Sequence, residues 1–329
     1  MSKIIIGIHG LGNKPVATTL QRWWQQSIAD GFRVIRKSGH HPKFQLVYWA
    51  DIIHPQPLQR EGIDEDHPLY LDEPYSRAGV ITRSIREPLQ QKIRDYLEKQ
   101  IDKILLNDDL TVNFAAISDY IIHRFFHDLE VYYMSDRPVS PESTLLPRDA
   151  IRLRLAETLQ RHHRKQILLI AHSMGSIIAY DVLNAGLPGV QIDTLVTCGS
   201  PLGVPVIMNK IRSENKMTLK PGPLAVPESI TRKWYNLSDL NDRVALNYDL
   251  ADDYAPSRGG ITIEDLQVTN TYEFNGKKNP HKAYGYLRTP EMAEVISGFL
   301  DYDRTLLGKW FADKFYYFLS QFRSFPDRI

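Results

Sequence analysis

One short segment, in which an apolar run turns directly into a helix-forming stretch, constrains the fold of this chain more than any other. It reads Q-I-L-L-I-A-H-S-M-G-S-I-I-A-Y-D-V-L from Gln166 to Leu183. The apolar part lacks polar alternation, which predicts a strand buried on both faces of a parallel sheet. A strand and a helix can pass this close only if small residues flank the turn, and Ala171 and Gly175 do so on either side of Ser173. Ala171 adds one methyl group at a position where glycine is usual. The segment therefore predicts a tight turn that exposes Ser173 as a candidate nucleophile.

The rest of the chain repeats the alternation of buried strand and helix. Four further apolar runs predict strands, and four periodic segments predict helices. This order is typical of a doubly wound, mostly parallel α/β sheet. The predicted strands are Lys3–Ile8, Phe44–Trp49, Gln166–Ala171, Thr194–Cys198 and Lys233–Leu237, and the predicted helices are Val16–Ala29, Arg148–His163, Ser176–Ala185 and Pro290–Leu300.

The alternation stops between about Asp51 and Pro147. A segment rich in proline and acidic residues comes first, and two helical patterns follow it. The first has an apolar residue at every fourth position from Leu89 to Leu105, and the second, from about Asn113 to Met134, is dense in aromatics. We interpret residues 51–146 as a helical cap or lid inserted into an α/β core made of 1–50 and 147–329. An insertion after the carboxyl end of a strand is placed to line an acyl pocket, with Phe125 and Phe126 as candidates.

Composition narrows the functional classes. The formal net charge of +1 gives no bulk electrostatic reason to expect binding to nucleic acid or to an acidic membrane. A single cysteine, Cys198, rules out an intrachain disulfide and favours a reducing compartment. The amino-terminal segment lacks the features of a signal peptide, and no apolar stretch approaches the ~20 residues of a membrane-spanning helix. These features predict a cytoplasmic protein without a transmembrane segment.

A serine nucleophile needs a base, and the base needs an acid to orient it. In sheets that carry this kind of turn, the chain order is serine, acid, histidine. His281 is the only histidine after Ser173, and it lies in the loop N-G-K-K-N-P-H-K, which follows a predicted strand at Leu266–Phe274. The acid should follow a strand between the two, and K-W-Y-N-L-S-D-L-N-D-R-V-A offers Asp239 and Asp242. Asp239 lies in S-D-L-N, a turn sequence in which the carboxylate can bind its own backbone.

Negative charge that develops on a carbonyl oxygen must be met by preorganised donors, commonly backbone N–H groups. Met174, directly after the nucleophile, would supply one. The loop after the first strand, I-I-I-G-I-H-G-L-G-N-K, would supply the other, and we select Leu11. His9 is expected to hold this loop by hydrogen bonding rather than to titrate during catalysis.

Taken together, these motifs resemble the lipase and esterase branch of the α/β-hydrolase superfamily. The resemblance rests on H-G-L-G, A-H-S-M-G, C-G-S-P-L-G, the D-x-x-D-x-V segment and the late histidine. It is strongest with serine esterases and lipid deacylases that begin with H-G-x-G, and it covers residues 3–50 and 147–300. The resemblance implies hydrolysis of carboxylic esters, of small molecules or lipids, through an acyl-enzyme and without a cofactor or metal. It also favours Asp242 as the acid, because a valine follows it closely.

Other interpretations remain open. A fold of this kind without activity would be a binding protein. A phosphate-binding loop is suggested by the spacing of Gly7 and Gly12, but Asn13, Lys14 and Pro15 follow where that loop needs lysine and then serine or threonine. Thioester or amide cleavage would use the same triad.

Several further motifs have simpler explanations. Ser200 precedes Pro201, which has no N–H to donate to an oxyanion, and Cys198 fits a packed thiol. The acidic segment 64–67 and the pair His123 and His127 could bind a metal but lack a third ligand nearby. The last aromatic helix, K-W-F-A-D-K-F-Y-Y-F-L-S-Q-F, could dock on the body, form a dimer contact or touch a membrane surface.

Overall fold

The computed structural model describes residues 1–37, 39–77, 128–133, 135–139, 143–214, 223–245 and 249–302. The first helix predicted in the insertion and most of the second lie outside these ranges. So do Phe125, Phe126, the histidine pair 123 and 127, and the last aromatic helix.

In the part of the chain that the structure describes, six parallel strands form the central sheet. In order across the sheet they are β2 (Phe44–Val47), β1 (Lys3–Ile8), β3 (Gln166–His172), β4 (Ile192–Cys198), β6 (Ile230–Ser238) and β8 (Ile263–Gln267). The strands at the centre have continuous apolar runs, such as I-I-I in β1 and I-L-L-I in β3, as expected for strands covered on both faces, whereas the edge strand β8 contains Glu264 and Asp265. Short strands form two small pairs outside this sheet. One pair is β5 (Leu224–Ala225) with β7 (Tyr254–Ala255), and the other is β9 (Glu273–Phe274) with β10 (Lys277–Lys278).

Helices cover both faces of this sheet and divide the core into two layers. The helices are α1 (Ala17–Val34), α2 (Ala50–Ile53), α3 (Pro147–Arg161), α4 (Met174–Ala185), α5 (Pro205–Glu214), α6 (Ala283–Leu287) and α7 (290–302). One layer packs α3, α4 and α5 against alternate strand residues such as Ile6 and Leu169. The other packs α1, α6 and α7 against the intervening residues, such as Ile5 and Leu168. The predicted α/β architecture, with a parallel sheet between helices, is confirmed.

The strand order locates the place where a site can form. From β1 the chain crosses to β2 on one side, and β3 then pairs on the other side of β1. The carboxyl ends of β1 and β3 therefore diverge at a topological switch point, where open α/β sheets bind ligands. The register places Ile8 opposite Ala171, so that the loop after β1 and the turn after β3 start side by side.

Most predicted elements are present with shifted ends, and one prediction was wrong. The segment Leu266–Phe274 is not one strand, because β8 ends at Gln267 and β9 starts only at Glu273. Between them, Asn270 turns the chain by accepting the N–H of Tyr272 at 3.0 Å. Helix α1 extends five residues beyond the predicted end at Ala29, and Gly31 within it lies close to the backbone of Arg288. The helices α5 and α6 had not been predicted.

The described ends of the insertion pack on the core around the switch point. Leu58 N–H donates to the carbonyl of Lys14 at 2.9 Å, and the Tyr75 hydroxyl donates to Asp30 at 2.5 Å. Tyr132, in the helical segment 128–133, donates to Asp181 of α4 at 2.7 Å. Among the helices that the structure describes, none is both long and apolar enough to cross a lipid bilayer.

Candidate active site

Ser173 occupies the turn between β3 and α4 in a conformation that side chains rarely adopt. Its φ is 53° and its ψ is −129°. The turn is present as predicted, but Ser173 is fully buried in it and not exposed. The turn is held from below by the Ser173 N–H, which donates to the Cys198 carbonyl of the neighbouring strand at 3.0 Å. A strained residue that the surroundings enforce is a common property of functional sites.

Glycines on both sides allow this turn. A Cβ atom on Gly175 would lie 2.7 Å from the Ile8 carbonyl oxygen and 2.8 Å from that of His9. A Cβ atom on Gly10 would lie 2.6 Å from the Cβ of Ser173. The loop after β1 and the start of α4 are therefore in direct backbone contact, with Ser173 between them.

His281 lies within hydrogen-bonding distance of both predicted partners. Its Nε2 is 2.9 Å from Ser173 Oγ, and its Nδ1 is 3.0 Å and 2.9 Å from the two carboxylate oxygens of Asp242. An ionised carboxylate only accepts, so Nδ1 carries the proton and Nε2 is left to accept the serine hydroxyl. The three residues, selected from distant parts of the sequence, meet in the order that a nucleophile, a base and an acid require.

The surroundings keep Asp242 ionised although it is completely buried. Burial alone would raise the pKa of this carboxyl, but the charge and hydrogen bond of His281 oppose it, together with bonds from Tyr286 and Val244. The pKa of Asp242 is consequently below its ordinary value. The Tyr286 hydroxyl donates to Asp242 Oδ2 at 2.7 Å, and the Val244 N–H donates to Oδ1 at 2.9 Å.

Asp239, the other candidate acid, faces away from His281 and binds backbone. Its two oxygens accept the N–H groups of Asn241 at 2.7 Å and Asn270 at 2.6 Å. Burial raises the pKa of this carboxyl, which these hydrogen bonds only partly offset. The Asp239 N–H also donates to the Tyr286 hydroxyl at 3.0 Å, so this tyrosine links the two acids.

His172, which had not been assigned a role from the sequence, contacts both the backbone and the ring of His281. Its Nε2 lies 2.7 Å from the carbonyl oxygen of His281, and the two rings are 4.9 Å apart. Burial, and then the neighbouring His281, lower the pKa of His172 well below the usual value. A carbonyl can only accept, so the neutral ring must carry its proton on Nε2.

The loop that carries His281 is held by a residue of the insertion. Asn279 accepts the His281 N–H at 3.0 Å, and its own amide donates to both oxygens of Glu73, at 3.0 Å and 2.9 Å. Lys282 donates to the same carboxylate at 2.9 Å. Glu73 thus braces the loop on both sides of the base.

The proposed oxyanion donors lie in the loop after β1 and at the start of α4. The backbone N–H groups of Leu11 and Met174 have no hydrogen-bond partner within the described ranges. His9 shapes this loop, since its Nε2 accepts the Trp49 N–H at 3.0 Å and its Nδ1 therefore donates to the Gly10 carbonyl at 2.8 Å. Burial, and then Lys14, lower the pKa of His9 well below the usual value, so the ring is neutral.

A cleft of about 480 Å³ opens over Ser173 and His281. Its apolar lining includes Leu11, Trp24 and Tyr284 from the core, and Leu58 and Leu71 from the insertion. This volume is within the range of small-molecule sites in proteins, roughly 300–1,000 Å³. The described part of the insertion therefore contributes to the wall of the cleft, while the lid motion suggested by the sequence stays a prediction.

The alternative nucleophiles lie in packed surroundings. Ser200 Oγ is buried 2.8 Å from Ser176 Oγ and accepts the Leu202 N–H at 3.2 Å. Burial raises the pKa of the Cys198 thiol strongly, which disfavours the reactive thiolate. Across the described ranges, no group of three metal-ligating side chains converges.

Comparisons with known proteins give no assignment. No protein-family model matches the sequence, and a search of curated proteins finds none with significant similarity.

Proposed function

We propose that this protein is a serine hydrolase of the α/β-hydrolase fold that cleaves carboxylic esters through an acyl-enzyme on Ser173. The observation that carries the proposal is the continuous hydrogen-bonded path from Ser173 Oγ through His281 to Asp242. A parallel sheet alone is compatible with many functions, whereas these three groups in this order have a specific chemistry.

The reaction would begin when Ser173 Oγ attacks the ester carbonyl and His281 Nε2 accepts the hydroxyl proton. The N–H groups of Leu11 and Met174 would stabilise the oxyanion of the tetrahedral intermediate. The C–O bond to the alcohol then breaks, and His281 returns the proton to the leaving oxygen. Water, activated by the same imidazole, releases the acid and restores Ser173. Asp242 would keep Nδ1 protonated and stabilise the imidazolium throughout.

Part of the cleft suits an apolar acyl or alcohol group. Leucine and aromatic side chains form this part of the lining, charged side chains such as Lys14 and Lys282 form others, and the insertion contributes to one wall. A small-molecule or lipid ester is the substrate class that fits this lining. No step of the mechanism requires a cofactor.

The proposal is tested by covalent labelling and by hydrolysis of p-nitrophenyl esters of increasing chain length. A fluorophosphonate probe should modify Ser173, and Ser173→Ala should abolish labelling and lower turnover by about 10⁶, as expected when a triad nucleophile is removed. Ser200→Ala is the matched control, because Ser200 is a buried serine outside the path, and it should keep both activities. Labelling that persists in Ser173→Ala, or an inert wild type, would refute the proposal.

A further inference from the structure

The loop that carries the proposed oxyanion donor is held by two opposite charges at one peptide group. The Leu11 carbonyl accepts a hydrogen bond from the Lys14 ammonium, and the Gly12 N–H donates one to the Asp128 carboxylate. These two groups are the opposite ends of the peptide that joins Leu11 to Gly12. Lys14 also donates to the Gly12 carbonyl at 2.9 Å, and Gly12 has a φ of 79°, a left-handed conformation that suits glycine.

Asp128 belongs to the insertion, and its side chain is completely buried. Burial favours the neutral acid, but hydrogen bonds from His54 and Gly12 and the charge of Lys14 outweigh it. The pKa of Asp128 is therefore below its usual value, and the group is a carboxylate. Its second oxygen lies 3.2 Å from His54 Nε2. A buried charge is costly unless it is paired. The carboxylate of Asp128 has two such partners, the Gly12 N–H in the loop after β1 and the imidazole of His54.

The peptide that joins Leu11 to Gly12 directly follows the peptide that carries the proposed oxyanion donor, the Leu11 N–H. The Leu11 N–H belongs to the preceding peptide, whose carbonyl, that of Gly10, accepts from His9 Nδ1 at 2.8 Å. Both peptides share the Cα of Leu11, so fixing the second one restricts the direction of the Leu11 N–H in the first. A donor that misses the oxyanion by about 1 Å can cost about 10² in rate.

We propose that Asp128 and Lys14 are positioning residues for the oxyanion loop, so that the insertion is required for the rate of acylation as well as for the shape of the cleft. This inference rests on the proposed function. It assigns the insertion a role that a lid alone would not have, since the carboxylate acts at the backbone of the loop.

The test compares three substitutions by the rate of fluorophosphonate labelling and by kcat and KM for p-nitrophenyl acetate. Asp128→Leu is nearly isosteric but cannot accept the Gly12 N–H, and it should slow labelling and kcat roughly 10- to 100-fold with KM little changed. Asp128→Asn keeps an acceptor oxygen and should recover most of the rate. Tyr132→Phe is the matched control, because it removes a hydrogen bond of the same helical segment to Asp181 and leaves the loop alone.

Lys14→Met covers the case in which Asp128→Leu lowers the melting temperature. It releases the other end of the same peptide from a partly exposed side chain, and it should also lower kcat more than it raises KM. Labelling at the wild-type rate in a folded Asp128→Leu, or in Lys14→Met if the leucine variant does not fold, overturns this inference and leaves the proposed function intact. A wild type that does not react overturns the proposed function and this inference with it.

Discussion

The two sides of Ser173 are built in different ways. On one side, Asp242 follows strand β6 of the central sheet, His281 lies in the loop after β10, and Tyr286 lies in α6. The carboxylate of Asp242 is hydrogen-bonded to His281, to Tyr286 and to core backbone. On the other side, the loop after β1 is held largely by the insertion, through Asp128 and the carbonyl of Gln56. The difference suggests that the acid and base are a property of the core, whereas the geometry of the oxyanion loop depends on the insertion.

The largest loss of kcat is expected from Asp242→Asn, which changes the proposed acid itself. Asp242→Asn keeps the shape of the side chain but can donate to His281 Nδ1, which would favour the wrong tautomer. Loss of the acid in a triad costs about 10⁴ in kcat with the fold intact. Turnover of p-nitrophenyl acetate measures the loss of kcat, and the melting temperature checks that the variant is folded.

Asp239→Asn is the matched control for that substitution. It lies three residues earlier in the same loop, and its contacts are with backbone N–H groups, so it should affect stability more than turnover. If the control lost more activity than Asp242→Asn on well-folded protein, the assignment of the acid would move to Asp239.

A smaller effect is expected where the two acids are linked. Tyr286→Phe removes one hydrogen bond from the Asp242 carboxylate, and a bond to a charged group is worth about 1.5–3 kcal/mol. We expect kcat for p-nitrophenyl acetate to fall by roughly 10- to 100-fold, because each 1.4 kcal/mol corresponds to a factor of ten.

The stability lost in Tyr286→Phe should depend on pH, and the direction follows from the pKa of Asp242. The pKa of Asp242 is lowered in the folded protein, so its contribution to stability is present above the unfolded pKa of about 3.9 and is lost as the pH falls through the folded value. Urea unfolding should thus show a larger difference between wild type and Tyr286→Phe at neutral pH than near pH 3. An equal difference at both pH values would mean that the tyrosine acts through packing and its bond to the Asp239 N–H, and not through the charge of Asp242.

The smallest expected effect sharpens the comparison, because it concerns Glu73, a residue of the insertion that braces the loop of the base. Glu73→Gln keeps a hydrogen-bond acceptor for Asn279 but loses the charge that faces Lys282. We expect a reduction of kcat of only a few-fold, since partly exposed ion pairs contribute about 0–1 kcal/mol. A loss as large as that of Asp128→Leu would mean that the insertion controls both sides of Ser173.

The core side was open to sequence reasoning because its signals are local. An apolar run, a small-residue turn and the order of serine, acid and histidine led to Ser173 and His281 and left Asp239 and Asp242 as acids, between which the family resemblance favoured Asp242. The structure places Ser173, His281 and Asp242 within hydrogen-bonding distance. Strand β1 was predicted with its observed ends, since its six residues are bounded by polar residues and a histidine-glycine turn.

The contacts of the oxyanion side could not be predicted in this way. Gly12 and Asp128 are 116 positions apart, and no periodicity connects a buried aspartate in the insertion with a glycine loop. Tyr286 was missed for another reason, because it lies in a helix of five residues without a side-chain cap, too short to show a pattern. Long-range polar contacts and very short helices depend on tertiary packing that local patterns do not encode.

The backbone contact at Gly175 has an evolutionary consequence. Any side chain there would meet the carbonyl oxygens of Ile8 and His9, at the end of β1 and the start of the loop after it, and backbone oxygens cannot move aside by changing a rotamer. Selection for the fold alone would therefore retain this glycine, whatever reaction the protein catalyses. The hydroxyl of Ser173 differs, because its hydrogen bond is to His281, so the reaction and not the backbone of the turn requires an oxygen there. Among diverged descendants, a retained glycine would record shared architecture, and only the serine would record shared chemistry.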